Sequence, residues 1–461
     1  MERDTDVLVV GACTAGLYFA GLMARQGYKT LVCDRSSEAD LGRRYDIIHI
    51  GKEYFGQFGL PEPAPGDPDY VTAFHRSILR SALDRWPKNS RAEVLVLRRA
   101  PLMKRLAGWA IAQGAELLLN AGYERPVFDG KNRLSGAVVR QNGAELRIRT
   151  RLTADASGIG AAVRTRLPEN YGVETFVTGP RDQFYVVLQY VRLKNPKQDA
   201  VDVTRTWPYY KTWLAPQLDP AGAIMGVGAN LSFDYAMRCW KRFAERVTMP
   251  EHEPGHIEQS STPYRRPPYS LVADGFVVLG DAACITNPWS GEGVPYAWRL
   301  CAIAAEEFGR CMKAGAYPER GGTWQVNVRY MRSQGAEFAR NLAMLSGAVQ
   351  CTPEENDYEF QHSIIFEDDA DKGKGNLVVK LLIGLFSGGL SAKALGNLMA
   401  AAGIGGRIFK HYRSFPENPA GFGIWARKAG ELWGKAGSMA ELAERDMAQM
   451  EGYGGGSRPQ A

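Results

Sequence analysis

The feature that most constrains the fold is a short apolar strand that runs straight into a glycine-rich turn and a helix. Residues 6–10 read Asp-Val-Leu-Val-Val, a run typical of a buried parallel strand. Residues 11–16 read Gly-Ala-Cys-Thr-Ala-Gly, and apolar residues then recur with a helical period over residues 17–26. A second strand, residues 30–33, ends at Asp34. This order predicts a βαβ unit.

The turn between the first strand and the helix matches a dinucleotide-binding fingerprint at its two ends. Gly11 makes the tight turn, Gly16 lets the helix lie close to the sheet, and the helix N-terminus then faces a pyrophosphate. Asp34, 18 residues after Gly16, is placed to accept hydrogen bonds from ribose hydroxyls. Cys13 stands where the middle glycine is expected. On this segment alone, any βαβ unit with a glycine-rich turn remains an alternative.

Two distant segments strengthen the prediction of a nucleotide site. Residues 94–98 form an apolar strand, and Arg99 then opens a helix that ends near residue 113. Residues 152–158, Leu-Thr-Ala-Asp-Ala-Ser-Gly, predict a strand that ends in an acid and a turn of small residues. Asp155 either lies beneath the nucleotide or only accepts hydrogen bonds from backbone N–H groups of the turn.

The most specific segment lies between residues 275 and 294. A buried strand ends in Gly280-Asp281, and Asn-Pro-Trp-Ser-Gly-Glu-Gly at residues 287–293 leads into a long amphipathic helix. The Gly-Asp turn suits an aspartate that accepts hydrogen bonds from the ribityl chain of a flavin. The two glycines after it would bring the helix N-terminus to the edge of the isoalloxazine ring, where negative charge develops on reduction.

This succession closely resembles that of the geranylgeranyl reductases, and Pro-Tyr-Arg-Arg-Pro at residues 263–267 is similar to their return into the flavin domain. The likeness covers nearly the whole chain. It implies an α/β fold: a Rossmann-like FAD-binding domain of the hydroxylase or glutathione-reductase type, an antiparallel β-sheet substrate domain and a C-terminal helical region. The expected bounds are 1–168 and 263–320 for the FAD-binding domain, 169–262 for the substrate domain, 321–451 for the helical region and 452–461 for a disordered tail.

The resemblance implies FAD as the cofactor, contacted from all of these segments. Arg99 matches the arginine that opens a helix and contacts FAD in flavoproteins of this architecture, whereas Arg98 is better explained as a solvent-facing helix cap. Arg43 or Arg44 could also reach FAD, since hydroxylases place an arginine after a similar Leu-Gly turn. The expected cofactor contacts are Gly11, Ala12, Ala15, Gly16, Asp34, Arg35, Arg99, Asp155, Gly280, Asp281, Gly291, Gly293 and Val294.

The substrate side is predicted from a change of pattern. Alternating strands at residues 184–191, 211–216 and 223–228 indicate an antiparallel sheet over the reactive face of the flavin. The family's aromatic Tyr-x-Trp-x-Phe-Pro strand walls its substrate cavity, and here Lys211 replaces the tyrosine and Ala215 the phenylalanine. An aromatic strand in an ordinary sheet core remains the alternative. The candidate pocket residues are Tyr45, His49, Tyr210, Trp213, Ala215 and Trp289.

One departure from the family concerns the proton donor. Archaeal members carry a Pro-Cys-Gly stretch after the second strand, whereas residues 42–46 here read Gly-Arg-Arg-Tyr-Asp. A mechanism that depends on that thiol is unsupported, and no catalytic residue is assigned. Tyr45, Asp46 or His49 could replace the cysteine, and water is the other proton source left open; His49 is alternatively a half-buried strand residue.

The resemblance implies an FAD-dependent oxidoreductase that reduces carbon–carbon double bonds of an isoprenoid chain or lipid. Two alternatives stay open, a monooxygenase or halogenase on the same scaffold and an electron-relay flavoprotein. The Trp-x-Trp-x-Ile-Pro segment of halogenases does not occur in the sequence. Because there is no second nucleotide fingerprint, electrons are expected from transiently docked NAD(P)H, a reduced flavin or a ferredoxin.

Charge and cysteine usage exclude several other classes of protein. Lys and Arg number 56 against 50 for Asp and Glu and are scattered, which argues against nucleic acid and leaves peripheral contact with the inner face of a membrane open. Seven dispersed cysteines with no CxxC spacing predict reduced thiols in a cytoplasmic protein and no metal site. Because the N-terminal residues run directly into a strand, no signal peptide is predicted. The most apolar stretch, residues 377–386, is too short to span a bilayer.

Overall fold

A computed structural model describes residues 1–43, 46–196, 203–206, 210–246, 249–366 and 377–454. Its strands are β1 (Glu2–Asp4), β2 (Val7–Val10), β3 (Thr30–Cys33), β4 (Ile47–Gly51), β5 (Tyr70–Arg80), β6 (Lys88–Arg98), β7 (Glu116–Leu118), β8 (Ala121–Phe128), β9 (Leu134–Gln141), β10 (Ala144–Arg149), β11 (Leu152–Asp155), β12 (Gln183–Leu193), β13 (Val203–Thr206), β14 (Tyr210–Pro216), β15 (Gly222–Asn230), β16 (His252–Pro263), β17 (Val272–Ala273) and β18 (Phe276–Val278).

The helices, also in chain order, are α1 (Thr14–Arg25), α2 (Glu53–Gln57), α3 (Arg99–Ala112), α4 (Phe233–Ala244), α5 (Val294–Cys311), α6 (Gln325–Arg332), α7 (Gln334–Ala348), α8 (Pro353–Gln361), α9 (Leu377–Ser387), α10 (Ala392–Arg413), α11 (Phe422–Trp433) and α12 (Met439–Gly454). None of them, within the described parts of the chain, is long and apolar enough to cross a membrane.

The centre of the unit predicted to bind a nucleotide is a six-stranded sheet in the order β17-β18-β11-β2-β3-β7. From β18 to β7 every pairing is parallel, and every residue of β2, β3 and β11 is buried, as their continuous apolar runs predict. Because parallel strands end at one edge, the turns after β2, β3, β11 and β18 meet there. Four segments far apart in sequence are thereby brought together, and the predicted α/β fold is confirmed.

Helix α1 lies between α3 and α5 and fixes the position of the glycine-rich turn. A Cβ atom at Gly21 would lie 2.2 Å from the ring of Trp109 on α3, so only glycine allows this close packing. The Trp298 indole of α5 donates to the Thr14 carbonyl at 3.1 Å, which holds the first turn of α1 from the other side. Both tryptophans therefore set where the N-terminus of α1 points.

The sheet predicted to bind substrate has more strands than the sequence predicts. Eight strands pair in the order β16-β12-β15-β14-β13-β5-β6-β4, and β12, β14 and β15 are the three predicted strands. The expected boundary of 169–262 misses β4, β5 and β6, which come from residues 47–98. They join the sheet because β13 pairs in parallel with β5 and so satisfies the backbone edge of the β5–β6 hairpin. Strands of the eight-stranded sheet therefore come from inside the segment 1–168, which was predicted to belong only to the FAD-binding domain.

The region after residue 321 is helical, as predicted. Helix α10 packs along α7, and a Cβ atom at Gly347 would lie 2.5 Å from Cβ of Ala401. Helix α12 ends at Gly454 and so includes residues 452–454 of the predicted disordered tail, and residues 455–461 lie outside the described chain. Residues 367–371, whose run of acidic residues predicts a solvated loop, also lie outside it, as do the candidates Arg44 and Tyr45.

Candidate flavin site and adjoining cavity

The glycine-rich turn admits no larger residue at either end. Gly11 has φ of +109°, and a Cβ atom there would lie 2.3 Å from the Ala156 carbonyl oxygen. A Cβ atom at Gly16 would lie 2.0 Å from the Gly11 carbonyl oxygen. Each overlap is with backbone, which cannot move without displacing β11 or the turn itself. The turn is therefore held closed against the end of β11.

Cys13 replaces the middle glycine without filling the turn, because it is the N-cap of α1. Its Sγ atom accepts from the Gly16 N–H at 3.5 Å and donates to the Ala156 carbonyl at 3.2 Å. Burial raises the pKa of the Cys13 thiol, which keeps the S–H that this second bond needs. The Cys13 side chain points toward the turn after β11. It therefore does not occupy the space inside the glycine-rich turn, although it replaces the middle glycine of the fingerprint.

Asp34 ends β3 beside this turn. One carboxylate oxygen accepts from the Ala12 N–H at 2.8 Å and the other from the Ser36 N–H at 2.7 Å. A carboxylate offers about four acceptor positions, so the half-buried Asp34 keeps capacity for ribose hydroxyls. The side chain of Arg35, next in sequence, is exposed. This geometry fits the adenosine end of a dinucleotide.

Asp155 does not fit the predicted role of a cofactor contact. Its side chain is fully buried, and its two oxygens accept from Ser157 N–H and hydroxyl, Val163 N–H and Arg164 N–H at 2.6–3.1 Å. These four bonds use the acceptor capacity of the carboxylate. The alternative considered from the sequence is the one observed, since Asp155 organises the turn that Gly11 and Gly16 pack against.

Asp281 has a different environment at the end of the neighbouring strand. Gly280 begins a 3-10 turn with φ of +57°, and a Cβ atom there would lie 3.1 Å from Cβ of Ala15. One Asp281 oxygen accepts from the Thr286 hydroxyl at 3.0 Å. Burial raises the pKa of Asp281, against the opposing effects of that hydroxyl and the Arg99 guanidinium. Arg99 begins α3 as predicted, and the fold brings its charge near Asp281.

The loop before α5 is closed by its own backbone. The Asn287 N–H donates to the Glu292 carbonyl at 2.9 Å, and the Gly291 N–H donates to the Asn287 carbonyl at 2.8 Å. No side chain among the described residues caps α5, which begins at Val294 after Gly293. The amides of its first turn are therefore open to an anionic acceptor. With the turns above, these residues fit a bound flavin dinucleotide.

A cavity of about 330 Å³ lies between this loop and the eight-stranded sheet. One wall is mainly apolar and comes from the sheet, and the other comes from residues 286–291. The lining residues are His49, Phe74, Ser77, Phe184, Val186, Lys211, Trp213, Leu214, Ala215, Thr262, Tyr264, Thr286, Asn287, Pro288, Ser290 and Gly291.

Three of the six predicted pocket residues line this cavity: His49, Trp213 and Ala215. The ring of Trp289 instead lies against Phe366, with centroids 6.0 Å apart, so this prediction is wrong for the side chain. Tyr210 belongs to β14, but its side chain is outside the described residues, as is all of Tyr45. His49 is exposed where it lines the cavity, and desolvation by the surrounding protein lowers its pKa to about 4, so its ring is neutral near pH 7.

Lys211 also lines the cavity, and it is not among the pocket residues predicted from the sequence. Its Nζ atom donates to the carbonyl oxygens of Pro288, at 3.4 Å, and of Trp289. Burial lowers the pKa of Lys211 to about 8. The available signal was period two along β14, because Lys211, Trp213 and Ala215 alternate and so share one face.

Comparison with known proteins agrees with this geometry. Residues 4–211 match the family described as FAD binding domain. Over 93% of its length the chain is 23% identical to the digeranylgeranylglycerophospholipid reductase of Sulfolobus acidocaldarius, covering 97% of that protein. The chain is similar to the geranylgeranyl reductases. The predicted resemblance is confirmed, and the protein is an FAD-dependent oxidoreductase on that scaffold.

Solved structures show the same fold. A geranylgeranyl bacteriochlorophyll reductase-like protein from Thermoplasma acidophilum superposes with a TM-score of 0.72 at 15% identity, over 87% of this chain and 100% of the other. A myxobacterial chondrochloren halogenase superposes with a TM-score of 0.59 at 17% identity, over 87% of this chain and 97% of the other. The scaffold is therefore common to proteins with different chemistries.

Proposed function

We propose that this protein reduces carbon–carbon double bonds of an isoprenoid chain with FAD. The observation that carries the proposal is the cavity against the loop before α5, because its sheet wall offers Phe74, Phe184, Val186, Trp213 and Leu214 to a ligand. A hydrocarbon chain has no hydrogen-bonding groups and is bound by apolar surface removed from water. The printed name of the Sulfolobus relative, a reductase of a digeranylgeranyl lipid, supports the same substrate class.

Bound FAD would supply a hydride to the alkene, and the residues of the chain would bind and orient both partners. Gly11, Gly16 and Asp34 would hold the adenosine and pyrophosphate end, with Ala12 and Ala15 between them. Arg99, Gly280 and Asp281 would hold the ribityl chain. Gly291, Gly293 and Val294 would direct the first turn of α5 at the ring, where a helix N-terminus favours the anionic reduced state by up to about 2 kcal/mol.

The second candidate is an oxygen-using enzyme on the same scaffold. The similarity of the fold to that of a halogenase supports this candidate. An electron relay needs no apolar cavity beside its cofactor, so the cavity favours an enzyme. The electron donor would dock transiently, and NAD(P)H, a reduced flavin and a ferredoxin all satisfy this requirement.

The test is a single turnover under strict anaerobiosis. FAD-loaded protein reduced with dithionite is mixed with an unsaturated isoprenoid lipid, and the lipid is examined by mass spectrometry. We expect the mass of two hydrogen atoms to be added for each double bond reduced. A fully saturated lipid of the same length is the control. No product without oxygen, with an oxygen atom incorporated once oxygen is admitted, would instead identify an oxygenase.

We also propose that α9 rests on the surface of an anionic membrane. Val379, Leu382, Ile383 and Phe386 recur at helical spacing on one face, and all four are exposed, Phe386 at 85%. Residues 377–416 contain five Lys or Arg and no Asp or Glu. A helix of 11 residues is about 16 Å long, half the thickness of a bilayer core, so it would lie in the interface.

Vesicle flotation tests this contact. Changing both Ile383 and Phe386 to serine should lower binding to vesicles that contain phosphatidylglycerol by at least about tenfold, since burying each side chain contributes about 1.5–3 kcal/mol. Ile424→Ser on α11 is the matched control, because Ile424 is apolar and 70% exposed but lies outside this face. Equal loss in both variants would show only general hydrophobic adsorption.

A further inference from the structure

Lys211 reaches across the cavity from the sheet to the loop before α5. Strand β14 places it on the same face as Trp213 and Ala215, both of which line the cavity. Its Nζ donates to the Pro288 and Trp289 carbonyls, and the Tyr264 hydroxyl donates to the same Pro288 oxygen at 2.9 Å. The amine is thus held at the junction of the apolar wall and the loop that precedes the proposed flavin-ring site.

Among the described residues, no carboxylate forms a salt bridge with this amine. Of the described residues that line the cavity, none is a carboxylate. His49 is neutral near pH 7, and burial raises the pKa of Tyr264. Asp281 is bonded to Thr286, and Glu292, on the loop itself, is exposed. Burial therefore disfavours the ammonium form, and a group that titrates near neutral pH is suited to give up a proton there.

We propose that the Lys211 ammonium donates the proton that completes reduction of the double bond, an inference that rests on the proposed reductase function. Bound FAD, reduced beforehand by a two-electron donor, would supply a hydride to one alkene carbon. The other carbon forms a new C–H bond with the proton of an Nζ–H bond, whose electron pair stays on nitrogen. Water then returns a proton to the amine. The lysine takes the place of the thiol that this chain lacks.

The assignment predicts a defined pH dependence. Lys211 must be protonated to act, so single-turnover reduction of lipid should be fastest below pH 8 and fall as pH rises through about 8. Lys211→Arg keeps the positive charge and the donors to both carbonyls, but a guanidinium does not release its proton. We expect this variant to be at least about a hundredfold slower, with no fall near pH 8 and with FAD and lipid affinities unchanged.

A second measurement needs no catalysis. The pH dependence of acylation of Lys211 in the FAD-loaded protein, followed by peptide mass spectrometry, should have its midpoint near 8. Lys428, an exposed lysine that pairs with Glu431 on the surface, is the matched control. A Lys211 midpoint equal to that of Lys428 would overturn the proposal.

The two proposals fail in different ways. If the wild-type protein and Lys211→Arg reduce the lipid at rates within threefold of each other, Lys211 only ties β14 to the loop, and the reductase function stands. If the wild-type protein yields no reduced lipid without oxygen, both proposals fail together.

Discussion

Replacing Gly11 with alanine should destabilise the protein by about 3 kcal/mol or more and weaken FAD binding. A left-handed backbone costs a residue with a Cβ atom about 1–2 kcal/mol, and overlap in a packed site costs about 1–3 kcal/mol. Gly11 incurs both, because its φ is +109° and its added Cβ would lie 2.3 Å from the Ala156 carbonyl oxygen and 2.8 Å from the carbonyl carbon. Urea unfolding and fluorescence titration with FAD measure the two effects.

Gly27 provides the matched control for this prediction. Its φ is +89°, but a Cβ atom there would meet nothing within 4 Å. Gly27→Ala should therefore show only the backbone cost of about 1–2 kcal/mol and bind FAD normally. The difference between the two variants measures the close approach of the turn to the end of β11. If Gly11→Ala and Gly27→Ala lose the same stability and bind FAD equally well, the contact between the turn and Ala156 is not the reason that glycine is required at position 11.

Replacing Arg105 with methionine should lower the free energy of unfolding by about 3–5 kcal/mol, because it leaves a buried carboxylate without its partner. Arg105, on α3, binds Asp69 in bidentate fashion at 2.6 and 2.8 Å and also contacts Asp67 at 2.7 Å. The Asp69 side chain is only 2% exposed. The Arg105–Asp69 ion pair joins α3 to the segment that leads into β5. It therefore links a helix that packs on the six-stranded sheet to a strand of the eight-stranded sheet.

Two further variants make this prediction specific. Adding Asp69→Asn to Arg105→Met removes the uncompensated charge, and the double variant should regain part of the lost stability. Lys428→Met breaks an exposed pair with Glu431, whose partners are 57% and 63% exposed, and should change stability by less than about 1 kcal/mol. Thermal or urea unfolding of all four proteins gives the comparison, and a double variant no more stable than Arg105→Met would contradict the prediction.

Asp155 and Asp281 show how far sequence reasoning reaches at the candidate site. Each ends a buried strand and is followed by small residues, so the local patterns are alike. The difference lies in which N–H groups the fold presents, because Asp155 accepts four hydrogen bonds from its own turn and from residues 163–164. Asp281 accepts from the Thr286 hydroxyl, beside the N-terminus of α5. Hydrogen-bond partners eight or nine residues away are not part of a strand pattern.

The sequence by itself determined the features that depend on neighbours in the chain. A β-branched run, two glycines at the ends of a turn and an apolar helical period were sufficient to predict β2, α1 and β3. The Gly280-Asp281 turn and the helix beginning at Val294 were predicted for the same reason. These signals are local, since buried parallel strands must be apolar and a closed turn excludes a Cβ atom.

Only the tertiary structure decided which strands pair and which side chains meet. An alternating pattern shows which residues of a strand share a face, but any strand edge can satisfy the backbone of any other. The sequence therefore did not indicate that β13 would pair with β5 and bring residues 47–98 into the eight-stranded sheet. The same long-range pairing placed Lys211 opposite the Pro288 carbonyl, 77 residues away, where burial rather than sequence lowers its pKa.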